Sequence, residues 1–587
     1  MRKLLWIIIP LVFLGATVEL EDGTSLVGKS VEYSPPTIWL DSTRLNIDSV
    51  RSIILTVPEE GEYRWDTTLA LPVDTLNYLA EKAESQYPDV AGITLIDWGH
   101  NLLREDGTRA YIYHYAGKIL NENAKDWATI RNYFEEGREK VTILFARTIT
   151  PDGDIIWMPK SNIEVSTPPM GSDFFEVEKI LSFSLPSVEI GSIIEYAYVD
   201  EYYNPEVPGF FFPQWYFQQE GIPVVSSKLT VVIPETLSLH YKLTNFPERG
   251  KVEENIKDGQ KHYYFELSGS PPLITEPKMP ALGDVEARLK SSVLDNWDYI
   301  YNTLGKWQER RMEITPEIQR LADSLTTGLN NDSLIIDKLY RYVQDQIKYV
   351  SIKRSYVAGQ TGHSASWTLK KKLGDCTDKS ILLATLLKAK GIKATPVIIE
   401  TNSGEDVDRS LPTIDGNHAI TKVWFKGKRY FIDGTGNLFN FPYAWSEDYG
   451  VTYLDAVERE VGRIYIPPAN WFSLTEIVEA ELENNGDISF TYKSIPEGIR
   501  EANFREWWEF TNPEDYRRIF GNWASSIIPQ ATLESYQLPE PTDLTRPFYE
   551  KFQGKARNFP VLSGDYAIIN LSWVKDCLLY TSDAADE

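Results

Sequence analysis

The spacing of apolar residues changes character several times along the chain. After a polar, strand-like lead-in, residues 73–86 (VDTLNYLAEKAESQ) place Leu76, Leu79, Ala80 and Ala83 at helical spacing behind Pro72, which predicts a helix. From about 93 to 267 the period falls to two. AYIYHY at 110–115 alternates, 141–150 leads through Pro151, Asp152 and Gly153 into Ile155 and Trp157, and 193–199, 229–233 and 263–267 repeat the pattern. This succession predicts a β-sandwich. Residues 268–280 (SGSPPLITEPKMP) are rich in Pro and Ser and carry no period, as a linker does.

Helical spacing returns from about 285. Thr315, Pro316 and Glu317 open one helix, and Ser333 is read as the cap of a second that holds Leu334, Leu339, Val343 and Ile347. A third spans 377–390, with Ile381, Leu382, Leu386 and Leu387 inside and Gly391 placed to end it. Strands at 395–399, 419–425 and 428–433 follow. Beyond 464 the chain turns β-rich again, interrupted by a helix with Asn512 as cap and Pro513 at its first position. There is no internal repeat. The expected class is multi-domain α+β: an N-terminal β-sandwich, a central α+β core and a C-terminal β-rich domain.

Length and composition agree. A chain of 587 residues exceeds the roughly 250–300 at which one core stops growing, so three or four domains are expected. The aromatic content of 13% leans towards β structure. A net charge of −26 argues against nucleic acid as a partner, because phosphate binding needs clustered Lys and Arg.

At the N-terminus, Arg2 and Lys3 precede an apolar run from Leu4 to Leu14, then Gly15 and Ala16. That order is a secretory leader, and the run is short of the roughly 20 residues that span a bilayer. We therefore expect an exported protein, periplasmic or extracellular, with no stable membrane span once the leader is cleaved. At the other end, CLLYTSDAADE at 577–587 reads as a translated sequencing adapter, so the natural chain is expected to continue past Asp576. The expected layout is a leader at 1–18, a lead-in with a helix at 19–86, the sandwich at 87–270, a linker at 271–300, the core at 301–460, and a truncated C-terminal domain at 461–576.

With Cys577 set aside, Cys376 is the one native cysteine, and in an exported chain it has no internal disulfide to make. It stands in GDCTD at a predicted helix start, where free backbone N–H groups and the macrodipole favour a thiolate. The flanking Asp375 and Asp378 oppose that effect unless their carboxylates turn away. Four of the six histidines, His100, His114, His240 and His262, fall in the predicted sandwich, leaving His363 and His418. His363 is read as a surface residue. His418 opens a strand that returns through Lys426 and Gly427 in a tight hairpin. With Phe425 opposite Lys428, Asp433 falls opposite Ile420, diagonal to His418 on the same face. A change of one residue in the turn would put the two on opposite faces.

The segments GDCTDKSILLATLLKAKGIKATPVII and NHAITKVWFKGKRYFIDGT, in that order, resemble the transglutaminase-like superfamily over about 315–445. The resemblance implies a papain-like triad of Cys376, His418 and Asp433, acyl chemistry through a thioester, and an oxyanion hole made by the Cys376 N–H and an upstream side chain. Trp367 is the candidate second donor, although a core tryptophan is the commoner role. VTILFARTITPDGDII, LSFSLPSVEIGSIIEYAYV and FFPQWYFQQEGIPVVSSKLTVVIP resemble the domain of unknown function 3857, which commonly precedes such a core in exported bacterial proteins.

Other chemistry finds no motif. GHSAS at 362–366 misses the serine-hydrolase elbow at its last position. There is no HExxH or paired CxxC, and 433–437 lacks the acid spacing of a calcium loop, so neither a metal nor a cofactor is called for. The expected substrate is a protein, peptide or cell-wall amide, cut by water or transferred to an amine. The competing reading is a non-catalytic envelope-binding or scaffolding protein with a vestigial triad, to which the aromatic cluster Phe210, Phe211, Phe212, Trp215, Tyr216 and Phe217 would give a binding surface.

Overall fold

The computed structural model describes residues 65–569, apart from 169–172, 176–177, 278, 354–355, 409 and 564–565, together with short strands between 15 and 56. Of the leader only 15–18 are described, within a strand Gly15–Leu20, and the tail at 577–587 lies outside the described residues.

Helix α1 (Val73–Gln86) forms where its apolar spacing predicts, and Leu76, Ala80 and Ala83 bury against one face of a large sheet. That sheet has eight strands: β1 (Gly92–Leu103), β2 (Arg109–Ile119), β3 (Glu139–Ile149), β4 (Ile155–Trp157), β5 (Ile193–Tyr202), β6 (Val224–Pro234), β7 (Lys251–Lys257) and β8 (Gln260–Ser270). Their order is β4-β3-β5-β2-β1-β6-β8-β7, antiparallel except for β1 with β6. Alternation along β2 sends Tyr111, Tyr113 and Tyr115 to the face away from α1, where two small sheets cover them. One of these pairs 129–135, 164–166 and 178–184, and the other pairs 214–216, 288–292 and 240–244. The expected sandwich is therefore present. Phe210, Phe211, Trp215 and Phe217 are buried, Trp215 and Phe217 in its interior, which removes the exposed aromatic surface the binding reading called on.

The stretch 271–300 does not behave as a linker. Arg288–Ser292 is the buried middle strand of the second small sheet, between Gln214–Tyr216 and His240–Thr244. Its charged Arg288 and Lys290 hid it from a pattern search, because both side chains are buried through ion pairs rather than through apolar contact.

The central region packs helices against a five-stranded sheet. The helices are α2 (Pro316–Leu325), α3 (Asp332–Gln346), α4 (Ala365–Lys371) and α5 (Cys376–Ala389). The strands are β9 (Ala394–Ile399), β10 (His418–Phe425), β11 (Lys428–Ile432), β12 (Thr452–Asp455) and β13 (Glu460–Arg463), in the order β11-β10-β9-β12-β13. Thr315 caps α2 as expected, but α3 is capped by Asn331, whose side chain accepts from the Ser333 N–H. Helix α5 is buried on all sides from Cys376 to Leu387, which is why it carries apolar residues all round. Gly391 ends it at φ 74°.

The last region is a four-stranded sheet, β14 (Leu474–Leu482), β15 (Ile488–Pro496), β16 (Thr532–Gln537) and β17 (Glu550–Ala556), in the order β14-β15-β17-β16. Two helices pack on it, α6 (Ile499–Glu509) and α7 (Tyr516–Ile527). Asn512 and Pro513 start the second of these through a short 3₁₀ turn; the first was not predicted, since its aromatic run REWWEF follows no clean period. Among the described residues no helix is long and apolar enough to cross a membrane.

Candidate active site

Cys376 is the first residue of α5, and Asp375 is its cap. The two flanking carboxylates engage backbone N–H groups. Asp375 Oδ1 accepts from the Asp378 N–H at 3.0 Å and Asp378 Oδ2 from the Asp375 N–H at 3.3 Å, a reciprocal capping box. Asp378 is further engaged by His363, whose backbone N–H donates to Oδ1 at 2.5 Å and whose Nδ1 lies 3.1 Å from Oδ2. His363 is thus a brace for the cap, only partly exposed, and its ring stacks on Trp367 at 3.8 Å between centroids. Among the described residues the indole N–H of Trp367 makes no hydrogen bond, and no hydrogen bond joins Trp367 to Cys376. The Cys376 N–H, first in its helix, has no acceptor four residues back.

The hairpin carries the other two residues in the expected register. Phe425 pairs with Lys428 and Thr421 with Ile432, with Lys426 and Gly427 at φ 49° and 74°, the conformation of a two-residue turn matched to strand twist. Asp433 follows β11 directly, and its Oδ2 lies 3.0 Å from His418 Nε2. Thr435 holds the same carboxylate: its N–H and Oγ1 each donate to Oδ1 at 2.8 Å. With Nε2 committed to Asp433, the other ring nitrogen is left for a further partner, and the Cys376 sulfur is near enough to act on the imidazole electrostatically. Cys376 is 5% exposed and Asp433 fully buried.

The electrostatics follow from this chain of contacts. Burial works to lower the His418 pKa, but the Asp433 charge and hydrogen bond, helped by the sulfur, raise it well above the ordinary value. Burial likewise opposes the Asp433 charge, yet His418 and Thr435 hold its carboxyl below the usual range. The imidazolium is therefore the favoured state, oriented by a buried carboxylate and facing a sulfur at a helix start.

Three residues near this centre escaped sequence reading. Lys379, on α5, is buried with its Nζ donating to the Ile347 carbonyl at 2.8 Å; burial pulls its pKa down to about 8 against the pull of Asp433 and Asp345. Asp448, in a short 3₁₀ turn, is pushed well above the carboxylate range by burial and by Asp433. Asn503 comes from α6. Asp448 and Asn503 share a cavity of about 500 Å³ with Thr401, His418, Asp433 and Trp445. Thr435, beside them, carries a local signal in the Asp-Gly-Thr turn sequence; Asp448 and Asn503 reach the site through tertiary packing, and Lys379 is a lone charge on the helix of Cys376.

Two family models match the chain: the domain of unknown function 3857 over residues 105–274 and the transglutaminase-like superfamily over 319–432. No curated protein matches it. A solved structure of a candidate protease from Parabacteroides distasonis aligns with a TM-score of 0.55 at 13% identity, covering 83% of this chain and 96% of that one. It shares the fold. A second, a candidate cysteine protease from Cytophaga hutchinsonii, aligns over 38% of this chain and 79% of its own at 13% identity, with a TM-score of 0.18, too low to bear on the fold.

Proposed function

We propose that this chain, a transglutaminase-like superfamily protein with a DUF3857 domain ahead of its core, is an exported cysteine-nucleophile enzyme acting on amide, peptide or isopeptide bonds. The observation that carries the reading is the position of His418, hydrogen-bonded to Asp433 at 3.0 Å and close enough to the Cys376 sulfur for the two to interact electrostatically. A thiolate beside an imidazolium attacks the carbonyl carbon, and the oxyanion is met by the Cys376 N–H at the helix start. His418 gives its proton to the leaving amine as the C–N bond breaks, leaving a thioester and a neutral imidazole. That imidazole then takes a proton from water or from an incoming amine, which attacks the thioester and regenerates the thiolate pair. The buried Asp433 keeps the ring in one orientation through both proton transfers. Export rests on the leader-like N-terminus.

The test is iodoacetamide labelling of Cys376 against pH, in the parent and in His418→Ala. Fast labelling below about pH 7 that slows in the variant is expected; equal, slow labelling in both, rising only near roughly pH 8.5, would reject an activated thiol. Peptide, isopeptide and peptidoglycan amides, assayed with Cys376→Ala as control, identify the substrate.

A further inference from the structure

Asp448 is the unused group of the site. The residue is 1% exposed, and its Oδ2 has no hydrogen-bond partner among the described residues, a costly arrangement for a buried carboxyl. One donor atom each from Asp448, His418 and Asp433 lies within 4.8 Å of the other two. We propose that His418, Asp433 and Asp448 form a binding site for a divalent transition metal, best suited to Zn²⁺, whose occupancy switches the cysteine chemistry off.

The donor set is one imidazole nitrogen and two carboxylate oxygens, a combination that favours zinc over calcium or magnesium, which prefer oxygen alone. Bond lengths of roughly 2.0–2.2 Å place tetrahedral ligands about 3.4 Å apart, so small side-chain adjustments close the group around an ion. Two carboxylates balance its charge, and the adjoining cavity of about 500 Å³ admits the ion and leaves room for a water as fourth ligand. The sequence shows no metal motif because the ligands come from three separate elements, the start of β10, the end of β11 and the 3₁₀ turn at Ser446–Asp448.

The off-switch rests on the proposed triad; the binding does not. Zinc on Nε2 displaces the proton shared with Asp433, and zinc on Asp448 displaces the proton that buried carboxyl carries; both leave for solvent. The imidazole then keeps one N–H, towards the sulfur, and giving that proton to a leaving amine would create an imidazolate. The acid step fails while the ion is bound, and the sulfur, now facing a neutral imidazole in place of an imidazolium, is held less well as the thiolate.

Full-length, metal-free protein is titrated with Zn²⁺ against a chromophoric chelator. One ion per chain is expected, with affinity falling at least about tenfold in Asp448→Asn and holding within about threefold in Cys376→Ser. Asp448→Ser replaces the first variant if its melting curve shows that it does not fold. Zinc is expected to slow Cys376 labelling at least about tenfold, reversibly on adding chelator. Unchanged affinity in the Asp448 variant, or affinity lost in Cys376→Ser, overturns the site. Slow labelling of the metal-free parent would instead sink the triad, while binding lost with Asp448 would still uphold the metal site.

Discussion

Ser380 Oγ donates to the Ala419 carbonyl oxygen at 3.0 Å, and Thr421 Oγ1 returns a bond to the Ser380 carbonyl at 3.4 Å. Ser380 lies about one turn along α5 from Cys376, and Ala419 follows His418 in β10. The gap between sulfur and imidazole is therefore set by a helix-to-strand tie that belongs to neither residue.

Removing that tie has a defined effect. Ser380→Ala leaves a buried carbonyl short of a donor, and we expect a loss of about 1–3 kcal/mol in chemical denaturation. Iodoacetamide labelling should slow severalfold while its pH dependence keeps its shape, since the charges are untouched. Labelling as fast as the parent's would show that the triad holds itself.

The His418–Asp433 pair sets a stability window. The folded His418 value is raised, so its contribution is complete below the unfolded value of roughly 6.5 and disappears as pH climbs through the folded value. The folded Asp433 value is depressed, so its contribution is present above the unfolded value of roughly 3.9 and vanishes as pH falls through the folded one. The stability gap between the parent and Asp433→Asn should be widest between those limits and shrink on both sides. Urea midpoints across the pH range measure it, and a flat gap would contradict the pair.

Lys379 works in the opposite sense. Its pKa is down to about 8 from 10.5, so between those values the unfolded chain holds a proton that the folded chain lacks, and stability rises with pH. Lys379→Met should lose this rise, worth at most about 3 kcal/mol. Thermal or urea unfolding at pH 7.5 and 10 compares the slopes, and identical slopes would refute a strained lysine.

Lys290 pins the segment that leads into His418. It reaches Asp415 at 3.1 Å and is ion-paired to Glu405, while Ser292 Oγ donates to the Pro412 carbonyl at 2.7 Å. Lys290→Met takes the cation from Asp415 and leaves Glu405 to Arg288 and Tyr216, and we expect destabilisation of about 1–3 kcal/mol. Hydrogen exchange should quicken across 400–417 before it does in α5. Protection that stays equal in both segments would deny the pin.

Where burial is apolar and periodic, the sequence was legible. Helices α1, α2 and α5, the alternating strands and the 418–433 hairpin follow from spacing and turn residues, and the turn length alone sets the register that puts Asp433 beside His418. Legibility failed where burial is electrostatic. Arg288 and Lys290 make a central strand look like a linker, Lys379 occupies a helix interior as a charge, and Asp448 joins the site from a turn with no motif. Asp375 and Asp378 follow the same rule: their carboxylates serve backbone N–H groups, a role that composition does not reveal.

The buried strand Arg288–Ser292 gives the two halves of the molecule a shared inheritance. It is laid down within the N-terminal architecture, yet it grips the segment that leads into His418. A hybrid made by joining the front of one relative to the core of another would alter the aim of His418 without touching a triad residue. Recombination, natural or engineered, should therefore favour crossovers that keep residues 288–292 and 405–415 from the same parent.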